Sequence, residues 1–308
     1  MSMSERASQE SRKPLLAAIE AGGTKFVCAV GYDPFEPLRE HRFPTRDPET
    51  TMAEAAEFFK QAIADFGEIS SMAVGAFGPV DVRPDSEGYG SILTTPKPGW
   101  KGTNLIKELR SRIGDSFTVH VDTDVNAAAV GEALYGAARG KRHVAYITVG
   151  TGVGGGVLYD GKPLLGILHP EIGHMSVPDL EGSGSGSSSV CPFHECCLEG
   201  KASGPAIQSR WGTPGYELPD DHEAWNLEAA YLAHAAVNLT ATWAPEIIVF
   251  GGGVLQKPGL LEKIREKFSE LAGGYWELPD LEEYIQMAEL DQKAGIVGTL
   301  TLASRMTS

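Results

Sequence analysis

Short, nearly continuous apolar runs recur along the chain, and glycine follows several of them. Residues 15–20, 71–77, 117–121, 143–149 and 246–250 are runs of this kind and read as buried strands. A Gly-Gly turn joins 15–20 to a further apolar run at 26–30, which predicts a β-hairpin. A second hairpin is predicted from 143–149, through the glycine-rich 150–156, to a short strand at 157–159. Other stretches carry the helical period. Over 49–66, Met52, Ala55, Phe58, Phe59, Ala62 and Ile63 share one side. Over 224–243, Leu227, Tyr231, Ala235 and Leu239 do the same. Helices are also predicted at 127–133, 202–210, 259–271 and 294–303, the last with Gly295 and Gly298 allowing close approach to another element. Strands alternating with helices in both halves predict an α/β fold. Residues 1–14 are polar and read as a disordered tail, and the Gly/Ser-rich 182–189 reads as a mobile insertion.

The chain has 308 residues, enough for two domains or one large one, and 42% hydrophobic residues, enough for a substantial core. A net charge of -15 disfavours nucleic acid and anionic membranes as partners. It leaves an anionic nucleotide open, because local loops decide that. No apolar run of about 18 residues is present to span a membrane, and the N-terminus has no signal-peptide core. Three of four cysteines cluster with histidine, which fits a reducing, cytoplasmic compartment and a metal better than a disulfide framework.

Candidate chemistry concentrates between His169 and Glu199. Cys191, His194 and Cys197 follow one another with two residues between each, and His174 can return as a fourth ligand. Two thiolates and two imidazoles suit a closed, tetrahedral, structural zinc site. The other reading is a disulfide pair or unrelated buried thiols. A loop stapled by metal would hold the carboxylates of Glu171 and Glu199 on a rigid frame, suited to the hydroxyls of a polar ligand. Gly22, Gly23, Thr24 and Lys25 combine close backbone approach with a hydroxyl and a cation, which suits phosphate. A plain hairpin turn is the alternative. The run 150–156 exposes backbone N–H groups as a nest for phosphate oxygens, and Gly251-Gly-Gly253 is a third glycine turn at a strand end. Asp122, Asp124 and Asn126 lie where a strand feeds a helix, a common place for α/β chemistry, although either Asp can be an N-cap. Trp100, in a proline-fixed loop, either walls a pocket or packs that loop onto the core. Glycine turns for a nucleotide and carboxylates for a hydroxyl-rich substrate predict phosphoryl transfer to a polyol or sugar.

These motifs carry a resemblance that covers nearly all of 15–303. Ala18-Ile-Glu-Ala-Gly-Gly-Thr-Lys25, Asp124-Val-Asn-Ala-Ala-Ala-Val-Gly-Glu132, Gly150-Thr-Gly-Val-Gly-Gly-Gly156, Glu171-Ile-Gly-His174, Cys191-Pro-Phe-His194 and Gly251-Gly-Gly253 resemble the ROK family of sugar kinases, in the actin/hexokinase superfamily. Thr95-Pro-Lys-Pro-Gly-Trp100 and Cys-Pro-Phe-His point to its bacterial fructokinase branch. The resemblance implies two RNase H-like α/β domains with a cleft between them, a small one over 15–122 plus 291–308 and a large one over 123–290 with the zinc loop. It implies a homodimer. It implies Asp124 as catalytic base, with Asn126, Glu171, His174 and Glu199 on sugar hydroxyls, and zinc held by His174, Cys191, His194 and Cys197. Gly22, Gly23, Thr24 and Lys25 with Thr148, Gly150, Thr151, Gly152 and Gly154 would hold the phosphates of ATP, which comes with Mg2+, and Gly251, Gly252 and Gly253 the adenosine. Two departures stand out. Glu20 occupies the place of a common Asp at the magnesium–water contact, and the Gly/Ser insertion precedes Cys191. Cys196 beside Cys197 also offers a second thiolate, with turn phasing favouring Cys197.

The implied reaction is ATP-dependent phosphorylation of D-fructose at the C6 hydroxyl. Glucokinase, mannokinase and N-acetylmannosamine kinase activities are alternatives within the family. A sugar-responsive repressor is the alternative of another class. It needs an N-terminal helix-turn-helix, for which the roughly 14 residues ahead of the first strand leave too little chain.

Overall fold

The computed structural model describes residues 13–181 and 189–307. Residues 1–12 of the tail and 182–188 of the insertion lie outside the described residues. The described chain forms two compact units. One comprises residues up to Gly131, Leu165–His169 and the chain from Lys293 onward, and the other Glu132–Leu164 and Pro170–Gln292.

In the first unit, β1 (Leu15–Ala21), β2 (Lys25–Gly31), β3 (Arg39–Pro44), β4 (Ile69–Ala76) and β5 (Thr118–Thr123) form one sheet of order β3-β2-β1-β4-β5. β1, β2 and β3 pair antiparallel, while β4 joins β1 and β5 joins β4 in parallel. Helix α1 (Pro48–Phe66) begins where the Asp47 carboxylate accepts from the Thr50 N–H at 2.9 Å and Pro48 presets φ. Met52, Ala55, Phe58, Phe59 and Ala62 on its inner face are buried, as the period predicts. Helix α2 (Leu105–Ile113) is missed by periodicity, because Leu105, Ile106 and Leu109 make too short a stripe. Strand β3 is also missed. It is a charged edge strand whose one buried residue is Phe43, and its pairing to β2 defines it. Trp100 is fully buried, 5.6 Å from the Phe26 ring and 5.4 Å from that of Phe77, and its indole N–H donates to Arg46 O at 2.9 Å. It packs its loop onto the core. Helix α3 (Asp124–Tyr135) follows β5 directly.

The second unit repeats the topology. β6 (Val144–Val149), β7 (Val153–Tyr159), β8 (Lys162–Pro163), β9 (Ile247–Gly251) and β10 (Ile285–Met287) form a sheet of order β10-β9-β6-β7-β8. The first three again pair antiparallel and the last two add in parallel. The helices are α4 (Leu198–Ala202), α5 (Gly204–Trp211), α6 (Ala224–Trp243), α7 (Leu260–Ala272) and α8 (Leu281–Tyr284). The helix read over 202–210 is α5, and Ser203, which ends α4, caps it, its hydroxyl accepting from Ala206 N–H at 3.3 Å. Strand β7 starts four residues earlier than the sequence reading, so Gly154, Gly155 and Gly156 are strand residues rather than turn. A Cβ on Gly155 would stand 2.7 Å from the Ile172 side chain, so the glycine admits a close neighbour.

The closing helix α9 (Ala294–Ser304) returns to the first unit. It meets α3 backbone to backbone: a Cβ on Gly298 would lie 1.7 Å from Ala127 O, and one on Gly131 would lie 2.6 Å from Ala294 O. This seat ties the start of α3 to the first unit, so the chain crosses between units after Gly131 and not after 122. Leu165–His169 belongs to the first unit as well, where His169 Nε2 accepts from Val80 N–H at 3.4 Å. Among the described residues no helix is long and apolar enough to cross a membrane.

One buried carboxyl group stands apart. Glu228 on α6 is 1% exposed, and neither carboxyl oxygen has a hydrogen-bond partner among the described residues. Burial raises its pKa well above the ordinary carboxylate range, against a smaller lowering by Arg210. The folded chain therefore keeps a proton that the unfolded chain releases. This group's stabilising contribution is full below the unfolded value and is lost as pH rises through the raised folded value. Glu228→Gln removes the titration. Its Tm relative to wild type should improve as pH rises above the ordinary carboxylate range, and a pH-independent difference would contradict this account.

Candidate functional site

In the first unit, the β1–β2 turn is wired so that its carbonyls are occupied. Thr45 Oγ1 donates to Gly22 O at 2.7 Å, Thr45 N–H to Thr24 O at 2.9 Å, and the Lys97 ammonium to Gly23 O. The N–H groups of Gly23 and Thr24 have no partner among the described residues, and a Cβ on Gly23 would meet nothing within 4 Å. A turn with occupied carbonyls and open N–H groups can cradle an anion. Glu20, at the end of β1, packs its carboxyl against Gly295 of α9, and its Oε2 is buried without a hydrogen-bond partner among the described residues. Burial raises its pKa, opposed by Lys25.

The β5–α3 junction places Asp122, Asp124 and Asn126 in different settings. Neither Asp is the cap. Thr123 holds that place, its Oγ1 accepting from Asn126 N–H at 3.0 Å. Asp124 is the first helical residue, half-buried, with Val125 N–H donating to its Oδ1 at 2.9 Å. A carboxylate at a helix N-terminus is favoured by the macrodipole. Asp122 is 6% exposed and Asn126 2%. The Asn126 amide donates to Asp122 Oδ1 at 2.7 Å. This link and that of Lys97 to the glycine turn are missed by sequence reading. The four-residue spacing of Asp122 and Asn126 was the available signal for the first.

In the second unit, a 3₁₀ turn at Ile172–His174 lies against β7, close enough that a Cβ on Gly173 would stand 1.8 Å from Val153 O. This turn brings His174 to the cysteine loop. Cys191 Sγ lies 3.5 Å from His194 Nδ1 and 3.8 Å from His174 Nδ1, and Cys197 Sγ lies 3.7 Å from His174 Nδ1. All four ligand atoms fall within 4.8 Å of one another, and Cys196 is not among them. A tetrahedron with Zn–S of about 2.3 Å and Zn–N of about 2.0–2.1 Å has S···N edges of about 3.6 Å, so the donor set and its spacing fit zinc.

Glu171 precedes this turn, and burial with the nearby Glu199 raises its pKa to about 7. Glu199 Oε2 accepts from Val153 N–H at 3.0 Å and lies over Gly152, where a Cβ would be 2.5 Å from it. In the β6–β7 turn, Gly150 N–H donates to Gly152 O at 2.8 Å, leaving the N–H groups of Thr151 and Gly152 without partners among the described residues. Gly154 pairs with Thr148 inside the sheet. Gly252, at φ 90°, would carry a Cβ 2.8 Å from Thr148 Oγ1, so Gly251, Gly252 and Gly253 adjoin the end of β6.

The two sheets of like topology, each with a glycine hairpin after its first strand, define an α/β protein of the hexokinase-type fold. The chain belongs to the ROK family, whose model matches residues 16–306. It is 41% identical to the fructokinase of Pediococcus pentosaceus, over 94% of this chain and 97% of that one. The ROK hexokinase of Thermus thermophilus superposes with a TM-score of 0.77 at 26% identity, covering 95% of this chain and 99% of that one. A ROK family glucokinase from Streptomyces griseus, in complex with glucose and AMPPNP, gives a TM-score of 0.73 at 26% identity, covering 94% and 99%.

The glycines of this site have separable duties. Gly173→Ala drives a methyl group into the Val153 carbonyl and should lower stability by about 1–3 kcal/mol or more. Gly23→Ala meets open space and should stay within about 0.5 kcal/mol of wild type. Urea midpoints measure both, and equal losses would show that the close approach does not limit the turn.

Proposed function

We propose that this chain is an ATP-dependent kinase that phosphorylates D-fructose to fructose 6-phosphate. The observation that carries the reading is the near full-length 41% identity to a fructokinase, against 26% to the glucokinase of known structure. The chemistry of the residues supports it. Asp124, half-buried at the start of α3, accepts the proton of the attacking C6 hydroxyl as general base. Asn126, Glu171, His174 and Glu199 take the other hydroxyls. Glu171, with its pKa raised to about 7, can donate as well as accept near neutral pH. The open N–H groups at Gly23, Thr24, Thr151 and Gly152 hold phosphate oxygens without adding charge to an acidic chain. Gly251, Gly252 and Gly253 border the adenosine, with open space at Gly253. Mg2+ on the nucleotide would offset charge on the transferred group, and Glu20, which stands where the family commonly has Asp, is the candidate for contact with its water shell. The family resemblance also supports a cytoplasmic homodimer.

The test compares kcat/KM over fructose, glucose, mannose and N-acetylmannosamine, for wild type and Asp124→Asn. Fructose should be the best substrate, and Asp124→Asn should lower kcat by roughly 10²–10⁴-fold with little change in Tm. A higher kcat/KM for another sugar would displace the fructose assignment. Near-wild-type turnover in the variant would displace the base.

The metal reading is that His174, Cys191, His194 and Cys197 hold one structural zinc. With Nδ1 toward the metal, the His174 ring keeps its Nε2–H to donate to a hydroxyl. Elemental analysis should find about one zinc per chain. Cys191→Ala should lose the metal and local stability together, because binding and local folding are coupled. Full thermal stability in a metal-free protein would reject a structural role.

A further inference from the structure

We infer that Asp122 is a positioning residue for the phosphoryl transfer, acting through the Asn126 side chain. The inference rests on the reading of Asn126 as a sugar contact. Asp122 ends β5 almost fully buried. Among the described residues no lysine or arginine pairs with it, and the nearest ionisable nitrogen is His120 Nε2, 3.7 Å from its Oδ2. Burying a carboxylate without a cation is costly, and a strand position next to Val121 could hold an apolar side chain instead. Capping does not account for it either, because Thr123 already receives the Asn126 backbone N–H.

What Asp122 supplies is orientation. Its Oδ1 accepts from Thr123 N–H at 2.8 Å and from Asn126 Nδ2 at 2.7 Å. A carboxylate accepts and does not donate, so only the nitrogen end of the Asn126 amide can face it. The oxygen end is thereby turned away from Asp122, fixed as an acceptor within the first turn of α3. An Asn without this partner could present either end. A hydroxyl that donates to the oxygen would then compete with the flipped, donor-presenting amide. Asp122 thus sets the polarity of the contact, two residues from the proposed base, without touching the sugar itself.

The test is a double-mutant cycle on Asp122→Ala and Asn126→Ala, with Asp122→Asn and Asp124→Asn alongside. KM and kcat for fructose and for ATP are measured, with Tm for each variant. Asn126→Ala and Asp122→Ala should each lower kcat/KM for fructose about tenfold, the scale of one hydrogen bond, with the KM for ATP unchanged. The double variant should be no worse than the poorer single one, because both remove the same contact. Asp122→Asn should recover most of the loss, since its amide oxygen still accepts from Asn126 and it also guards against a fold defect in the alanine variant. Additive losses, or a lower Tm in Asp122→Ala with wild-type fructose kinetics, would overturn the positioning role while leaving Asn126 as a sugar contact. An unaffected Asn126→Ala beside an inactive Asp124→Asn would instead remove the Asn126 contact, and this inference with it.

Discussion

The first unit depends on a backbone-to-backbone crossing. Helix α9 touches α3 where Gly298 faces Ala127 O and Gly131 faces Ala294 O, with no room for a Cβ at either place. Gly75 of β4 adds a close approach to a side chain, where a Cβ would lie 2.8 Å from Thr299 Oγ1 of α9. Helices in contact through their backbones have no flexible side chain to absorb an error, so position and rotation are set together. The first turn of α3 carries Asp124 and Asn126, and α9 carries the Gly295 surface against which Glu20 rests. One packing constraint therefore places the proposed base, its neighbour and the buried carboxylate of β1.

The second unit uses the same device for a different purpose. Gly173 and Gly155 let the turn bearing Glu171 and His174 lie on β7, and Gly200 lets the Cys191 segment approach α4, where a Cβ would be 3.1 Å from Cys191 Cβ. The four residues proposed as metal ligands come from two segments that glycine brings close together. Glu199 then reaches over Gly152 to the Val153 N–H, which joins the cysteine loop to the glycine turn. Its charge also helps to raise the Glu171 carboxyl, behind the larger effect of burial. Two carboxylates held near each other, one of them with its pKa raised to about 7, suit a ligand whose hydroxyls both donate and accept.

Electrostatics at these turns are local. The chain carries a net charge of -15, yet both hairpin turns present open N–H groups. At the first turn the carbonyls that would repel an anion are occupied by Thr45 and Lys97. Bulk charge governs solubility and long-range encounter, while oriented amides govern what sits within a few ångströms.

Much of this protein was legible in its sequence. Strands with unbroken apolar runs, such as β1 and β9, and helices with a wide apolar stripe, such as α1 and α6, announce themselves because burial imposes their period. The Cys/His cluster of His174, Cys191, His194 and Cys197 and the acidic strand end were visible as residue types at revealing spacings. Elements with little buried surface were not. Strand β3 exists through its ladder to β2, and α2 through three buried side chains. Tertiary structure alone decided that Gly154, Gly155 and Gly156 are strand, that Trp100 belongs to the core, and that the start of α3 stays with the first unit. It alone decided the division of labour at the β5–α3 junction, where Thr123 caps, Asp124 opens the helix and Asp122 holds the Asn126 amide. A sequence records which groups are present and their spacing. Which of several like groups is capped, buried or left open depends on close approaches between segments distant in the chain, and those exist only once it has folded.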